Sequence, residues 1–240
     1  IMKIFFLLKT FLILINFNNF LFAGAPPLNK DPLPIAPYSF IKTKHIIIGV
    51  EWEKSSLEKI IPNELSSTST ITGGINIFTS KKKQSFSPLS GSYGWINFPG
   101  KNKKEKLVIF SIYGPNKKIN KIMNSVYSLK SEIGSNKVTL INNKAIATSS
   151  INKKNVLILS AVNMEDCKKA SGKDFLITNF SKKNKIYQSI SWTANNQCNI
   201  TPEKIELKES LEKFKIKKLL WAKTQENSEV IISEPVSKIE

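Results

Sequence analysis

The chain has 240 residues, a formal net charge of +18 and 41% hydrophobic residues, enough for one sizeable core and short for two large domains. All 36 basic residues are lysines, and without an arginine to fork onto guanine edges or phosphates, no specific nucleic-acid partner is expected. One histidine and two cysteines give no metal-ligand spacing, so neither a metal nor another cofactor is expected.

The first predicted module is residues 2–23. Met2-Lys3 precedes an apolar stretch from Ile4 to Ile15, broken by Lys9 and Thr10, and Asn16 to Ala23 completes it. A basic start, a short apolar centre and a small-residue exit read as an export signal cut after Ala23 or Ala25. A membrane span wants about 20 apolar residues, but an uncleaved membrane anchor is the alternative. The expected location is therefore periplasmic or secreted. Pro26, Pro27, Pro32, Pro34 and Pro37 make residues 24–37 an extended tether, and residues 38–240 form one domain. Lysines gather in turn-like clusters such as Lys81-Lys82-Lys83, Lys117-Lys118 and Lys153-Lys154. They read as solvated hairpin ends, with weak contact to an anionic membrane surface as the alternative.

Within the domain, His45-Ile46-Ile47-Ile48-Gly49-Val50 is short, β-branched and without helical period, which predicts a buried strand. Ser55 and Ser56 can cap a helix over 54–61, with Leu57, Ile60 and Ile61 as its apolar face and Pro62 as its stop. Strands are predicted over 71–79, 93–98, 106–113, 138–141, 144–150, 156–162, 174–180, 186–193 and 229–235. Asn142-Asn143 and Asn152-Lys153-Lys154-Asn155 read as hairpin joins. A second helix is predicted from Asn116 to Ile133, stopped by Gly134. Ile119, Ile122, Met123, Val126, Lys130 and Ile133 share its apolar stripe. Many short strands favour a closed or sandwiched antiparallel sheet, because closure removes exposed edges. Trp52, Trp192 and Trp221 are expected in the core and His45 is expected to be structural. Cys167 and Cys198 can oxidise in an exported chain, but sequence does not place their Cα atoms, and the bond stays open here.

The order Pro37-Tyr38-Ser39-Phe40, strand, Leu57-Glu58-Lys59-Ile60-Ile61-Pro62-Asn63-Glu64-Leu65 resembles the entry segment of the acetoacetate decarboxylase-like superfamily. Phe175-Leu176-Ile177, Ile186 to Trp192 and Glu229 to Pro235 are similar to its closing strands. The resemblance covers roughly residues 35–238 and implies a mainly β (α+β) domain, a closed antiparallel β-barrel with a few short helices. It also implies lyase chemistry. A desolvated lysine amine condenses with a ketone to form a Schiff base, and acetoacetate decarboxylase is the familiar example. Tyr127-Ser128-Leu129-Lys130 followed by Ile133-Gly134 is the nearest match to the family's reactive run, so the resemblance makes Lys130 the candidate catalytic residue. Tyr93, Trp95 and Tyr127 are the candidate substrate-binding residues.

The departures are specific. Ser128 replaces the motif's proline, and no second lysine adjoins Lys130. The family's pocket glutamate corresponds to Trp95, and its first-strand basic residue falls near Glu51. Two readings result: an exported Schiff-base lyase acting on a small keto acid, or a non-catalytic envelope barrel binding an apolar small molecule. The expected partner is a small carbonyl compound or apolar ligand, and oligomerisation is left open.

Overall fold

The computed structural model describes residues 36–66, 68–83, 89–98, 105–180 and 184–239. The predicted leader and nearly all of the tether lie outside the described residues.

Strands dominate. β1 (Tyr38–Trp52), β2 (Ile71–Lys83), β3 (Ser90–Phe98) and β4 (Glu105–Tyr113) form an antiparallel meander. They are followed by β5 (Glu132–Ile133), β6 (Ser135–Ile141), β7 (Lys144–Ile151), β8 (Lys154–Phe180), β9 (Asn184–Leu207), β10 (Ile216–Ile232) and β11 (Val236–Ile239). β8 pairs with β9, β9 with β10 and β10 with β1. The ring closes because Glu105, Lys106 and Leu107 of β4 lie beside Phe175, Leu176 and Ile177 of β8. This joint is parallel, so the expected all-antiparallel barrel has one parallel seam. The first part of β8, still paired with the end of β9, extends past the ring to pair with β7, which pairs with β6. Irregular pairings over Val162 to Ala170 let one long ribbon serve both places, since bulges bend and twist a strand.

Alternation along β1 gives the ring wall two different faces. Ile46, Ile48, Val50 and Trp52 join Ile75, Ile77 and Ile96 with Ala145, Ala147, Leu157, Leu159 and Ala161 in one buried cluster. Each large aliphatic side chain there contributes about 1.5–3 kcal/mol. Thr43, His45 and Ile47, out of phase with that set, face a cavity instead.

Both predicted helices are shorter than expected. In place of a helix over 54–61 there is one 3-10 turn, Lys54–Ser56, and then α1 (Asn63–Ser66) after Pro62. Only Leu57 of that apolar face is buried, and Ile60 is exposed. With Pro62 so near, too few turns remain to offset helix nucleation. The second helix, α2 (Lys117–Ser125), is capped as expected: the Asn116 side chain accepts from Lys118 N at 2.8 Å, and Ile119, Ile122 and Met123 are buried. It ends eight residues before Ile133, the expected last residue of the helix. Ser128 takes a left-handed φ of 50°, and Leu129 N–H reaches back to Met123 O at 2.9 Å.

Candidate functional site

A cavity of about 390 Å³ opens on the face of the barrel wall opposite the apolar cluster, a size suited to a small organic ligand. β1 supplies Thr43 and His45, β2 Asn76 and Phe78, and β3 Tyr93 and Trp95. β4 supplies Lys106, β8 Gly172 to Asp174, β9 Trp192 and Gln197, and β10 Trp221, Lys223 and Gln225.

At the buried end lies a relay of uncharged groups. Thr43 Oγ1 is 3.1 Å from the Ser228 carbonyl oxygen and 3.1 Å from His45 Nε2. His45 Nδ1 is 3.3 Å from Asn76 Oδ1, and the Asn76 amide nitrogen is 3.3 Å from the Tyr93 hydroxyl. A neutral imidazole lets this relay run in two directions, of which only the second keeps Thr43 donating to the Ser228 carbonyl. In one, Thr43 turns its single hydroxyl proton from the Ser228 carbonyl to Nε2, Nδ1–H donates to Asn76 Oδ1 and the Asn76 amide to Tyr93, leaving the phenol O–H unspent. With the amide turned over, Tyr93 donates to Asn76, Asn76 to Nδ1 and Nε2–H to Thr43, leaving a phenol lone pair unspent. Either way the relay terminates at Tyr93 with one hydrogen-bonding function left over.

Burial keeps both titratable groups of this relay uncharged. The Tyr93 phenol is pushed well above its usual range, first by burial and then by Asp174. Burial lowers the His45 imidazole from 6.5 to about 4, opposed by its hydrogen bond to Asn76. Between these two pH values the unfolded chain binds a proton that the folded protein does not, so stability rises with pH through this window and is fully present above 6.5. The loss on acidification from 6.5 to 4 should be about 3 kcal/mol. Urea denaturation of the wild type and His45→Gln across that range measures it; parallel pH profiles would refute the assignment.

Charged groups occupy the outer part of the cavity. Lys106 Nζ pairs with Asp174 Oδ1 at 2.7 Å and lies 4.7 Å from the centre of the Trp95 ring. Trp192 Nε1–H donates to Asp174 Oδ2 at 3.3 Å. Lys223 Nζ is 5.8 Å from the Trp221 ring centre.

Of the residues expected from sequence, Tyr93 and Trp95 line the cavity, their ring centres 5.8 Å apart. Tyr127 and Lys130 are not among its lining residues. Tyr127 is fully buried; its hydroxyl donates to Ser233 O at 2.8 Å, and its carbonyl oxygen accepts from Thr178 Oγ1 at 2.5 Å. Lys130 is exposed, because α2 has already ended and the chain has turned at Ser128. The apolar stripe assumed for it does not reach it, and its amine is not desolvated. Trp52 lies in the apolar core as expected, but Trp192 and Trp221 line the cavity, and Trp221 is 42% exposed. Alternating aromatics in β3 gave Tyr93 and Trp95 away. The polar strands β9 and β10 offered no such signal for Trp192, Trp221 or Lys223.

Cys167 and Cys198 form a disulfide across β8 and β9, close in sequence to the lining residues Ala170 and Gln197. Among the described residues no group of His, Cys, Asp or Glu gathers in a metal-binding arrangement.

No protein-family model and no curated protein matches the sequence. Solved structures do match the fold. An acetoacetate decarboxylase superposes with a TM-score of 0.68 at 13% identity, covering 92% of this chain and 96% of that chain. The acetoacetate decarboxylase of Legionella pneumophila gives 0.67 at 13% identity, over 91% and 93%. The enduracididine biosynthesis enzyme MppR complexed with pyruvate gives 0.61 at 7% identity, over 90% and 94%. At these identities the shared property is the fold.

Proposed function

Starting from a barrel of the acetoacetate decarboxylase type, we propose that this chain is a non-catalytic binding protein for a small molecule, and that Lys130 does not run Schiff-base chemistry. The observation that carries this reading is the separation of Lys130 from the cavity. Imine formation needs a free amine held near the substrate carbonyl, and burial among apolar groups is what provides it in such sites. Lys130 has water around it instead. Lys106, which does line the cavity, engages Asp174 in an ion pair, an arrangement that uses the ammonium and not the nucleophilic amine. The cavity meanwhile keeps its aromatic walls and its uncharged relay, which are what binding requires.

Reductive trapping tests the reading. The protein is incubated with acetoacetate or pyruvate and cyanoborohydride, the adducts are mapped by peptide mass, and carbon dioxide release from acetoacetate is followed in parallel. The expected result is sparse labelling spread over surface lysines, unchanged in Lys130→Ala, with no carbon dioxide released above the spontaneous rate. A stoichiometric adduct at Lys130 that disappears in this variant, or catalysed decarboxylation, would restore the lyase.

We also assign the protein to a compartment outside the cytoplasm. The Cys167–Cys198 bond supports this, since such bonds persist in oxidising compartments. Intact mass of the protein from its native cells should lack the leader; a chain retaining residues 1–23 would favour the membrane-anchored alternative.

A further inference from the structure

Four aromatic side chains of the cavity share one local device. Gly49 lies opposite Trp221 in the β1–β10 pairing, Gly74 opposite Trp95 in β2–β3, Gly91 opposite Tyr113 in β3–β4 and Gly172 opposite Trp192 in β8–β9. A Cβ built on each glycine would meet the facing ring: 2.2 Å from Trp221, 2.5 Å from Trp95, 2.6 Å from Tyr113 and 2.6 Å from Trp192. Each ring therefore lies down over the bare backbone opposite it, as aromatic side chains do when they cover a cross-strand glycine. A ring flattened against the wall turns its other face to the interior.

Charge is added over two of these rings. The charged side chains lining the cavity are Lys106, Lys173, Lys223 and Asp174, three cations against one carboxylate. Lys106 and Lys223 hold their ammonium groups over the Trp95 and Trp221 rings. Asp174 is already engaged with Lys106, whereas Lys223 has no carboxylate partner among the described residues. Opposite this outer end is the uncharged relay that terminates at Tyr93.

We propose that the cavity takes an aromatic anion: a planar ring system laid against the indoles, its carboxylate or equivalent anionic group held by Lys223 and Lys106, and a hydroxyl or carbonyl oxygen at its far end hydrogen-bonded to Tyr93. This rests on the binding-protein reading and adds the ligand class. A flat ring gains stacking on each indole face, and the excess of ammonium over carboxylate selects an anion. A keto acid of three or four carbons lacks the planar surface that these walls offer. The cavity volume of about 390 Å³ corresponds to roughly a dozen waters and accommodates a fused two-ring system.

Isothermal titration of the mature chain with 2-naphthoate, 2-naphthamide, 6-hydroxy-2-naphthoate and pyruvate tests the proposal. The expected result is one site, with 2-naphthoate about tenfold or more tighter than 2-naphthamide, as a charge-assisted contact gives. Lys223→Met should remove most of the preference of 2-naphthoate over the amide, Lys106 keeping the rest, and leave the amide unchanged, while Lys223→Arg retains the preference. Lys121→Met, on the exposed face of α2, serves as the control for general attraction by a basic protein. Tyr93→Phe should remove the advantage of the 6-hydroxyl and leave 2-naphthoate binding intact. Equal affinities for acid and amide would overturn the anion assignment while leaving a small-molecule barrel in place. Failure of every aromatic probe would overturn the ligand class. Pyruvate fixed by cyanoborohydride at a single lysine would instead remove the binding-protein reading beneath it.

Discussion

Gly73→Ala should destabilise the protein by about 3 kcal/mol or more, near the upper end for a single substitution. A Cβ at Gly73 would stand 1.9 Å from Trp95 O and 2.9 Å from Ile96 Cα, both backbone atoms that no rotamer change can move. It would also stand 2.7 Å from Trp52 Nε1, whose N–H donates to the same Trp95 carbonyl at 3.0 Å. The added methyl thus forces two strands apart and intrudes on a hydrogen bond that ties the apolar core to the cavity wall. Gly172→Ala is the informative contrast, because its nearest neighbours are Trp192 ring atoms. That ring can swing, and the cost should be nearer 1–2 kcal/mol, in the range of ordinary overpacking. Urea denaturation at constant m-value measures both. Similar midpoints for the two variants would show that the wall yields where it is drawn as rigid.

Removal of the disulfide is the second large effect. Cys167 and Cys198 are separated by 31 positions, and closing a loop of this size stabilises by about 3–4 kcal/mol in the chain-entropy description. Cys167→Ser/Cys198→Ser should therefore lose stability of this order, with the larger part of the change in the unfolded chain. The bond also ties the bulged stretch of β8 to β9, beside the segment that carries Gly172 and Asp174 into the cavity. A double variant with unchanged stability would mean that the bulged ribbon holds its place without the bond.

The parts of the fold legible in the sequence are those where one physical signal dominates. His45 to Val50, Ile71 to Thr79 and Tyr93 to Phe98 are apolar enough to be read as strands, and the strands formed there include all three runs. The stretches 163–173, 194–207 and 216–228 carry Lys, Asn, Glu and Gln, yet all are strand. Their partners across the ladder make them so, and that is information a local reading does not hold. The second helix is shorter than its spacing implies, because Val126, Lys130 and Ile133 continue a helical period while Ser128 turns left-handed between them. A spacing rule does not register a turn that only the packed chain selects. The same spacing places Lys130 on an apolar stripe that the folded chain does not form. Tyr93 and Trp95 were found because two aromatics at alternate positions of one strand must share a face. The glycines beneath Trp95, Tyr113, Trp192 and Trp221 become visible only with the strand register.

The parallel seam gives the ring an order of opening. Among the described residues it holds through three positions on each side, Glu105 to Leu107 against Phe175 to Ile177, whereas the β1–β2 ladder runs from Trp52 to Phe40. Lys106 and Asp174 clasp it from the cavity side. The first gap in this barrel is therefore expected between β4 and β8, with the apolar cluster intact behind β1 and β2, because local openings follow the fewest bonds; amide hydrogen exchange fastest at Lys106 and Leu107 would show it. The barrel has a latch, and the ammonium that fastens it is one that an incoming anion would draw upon.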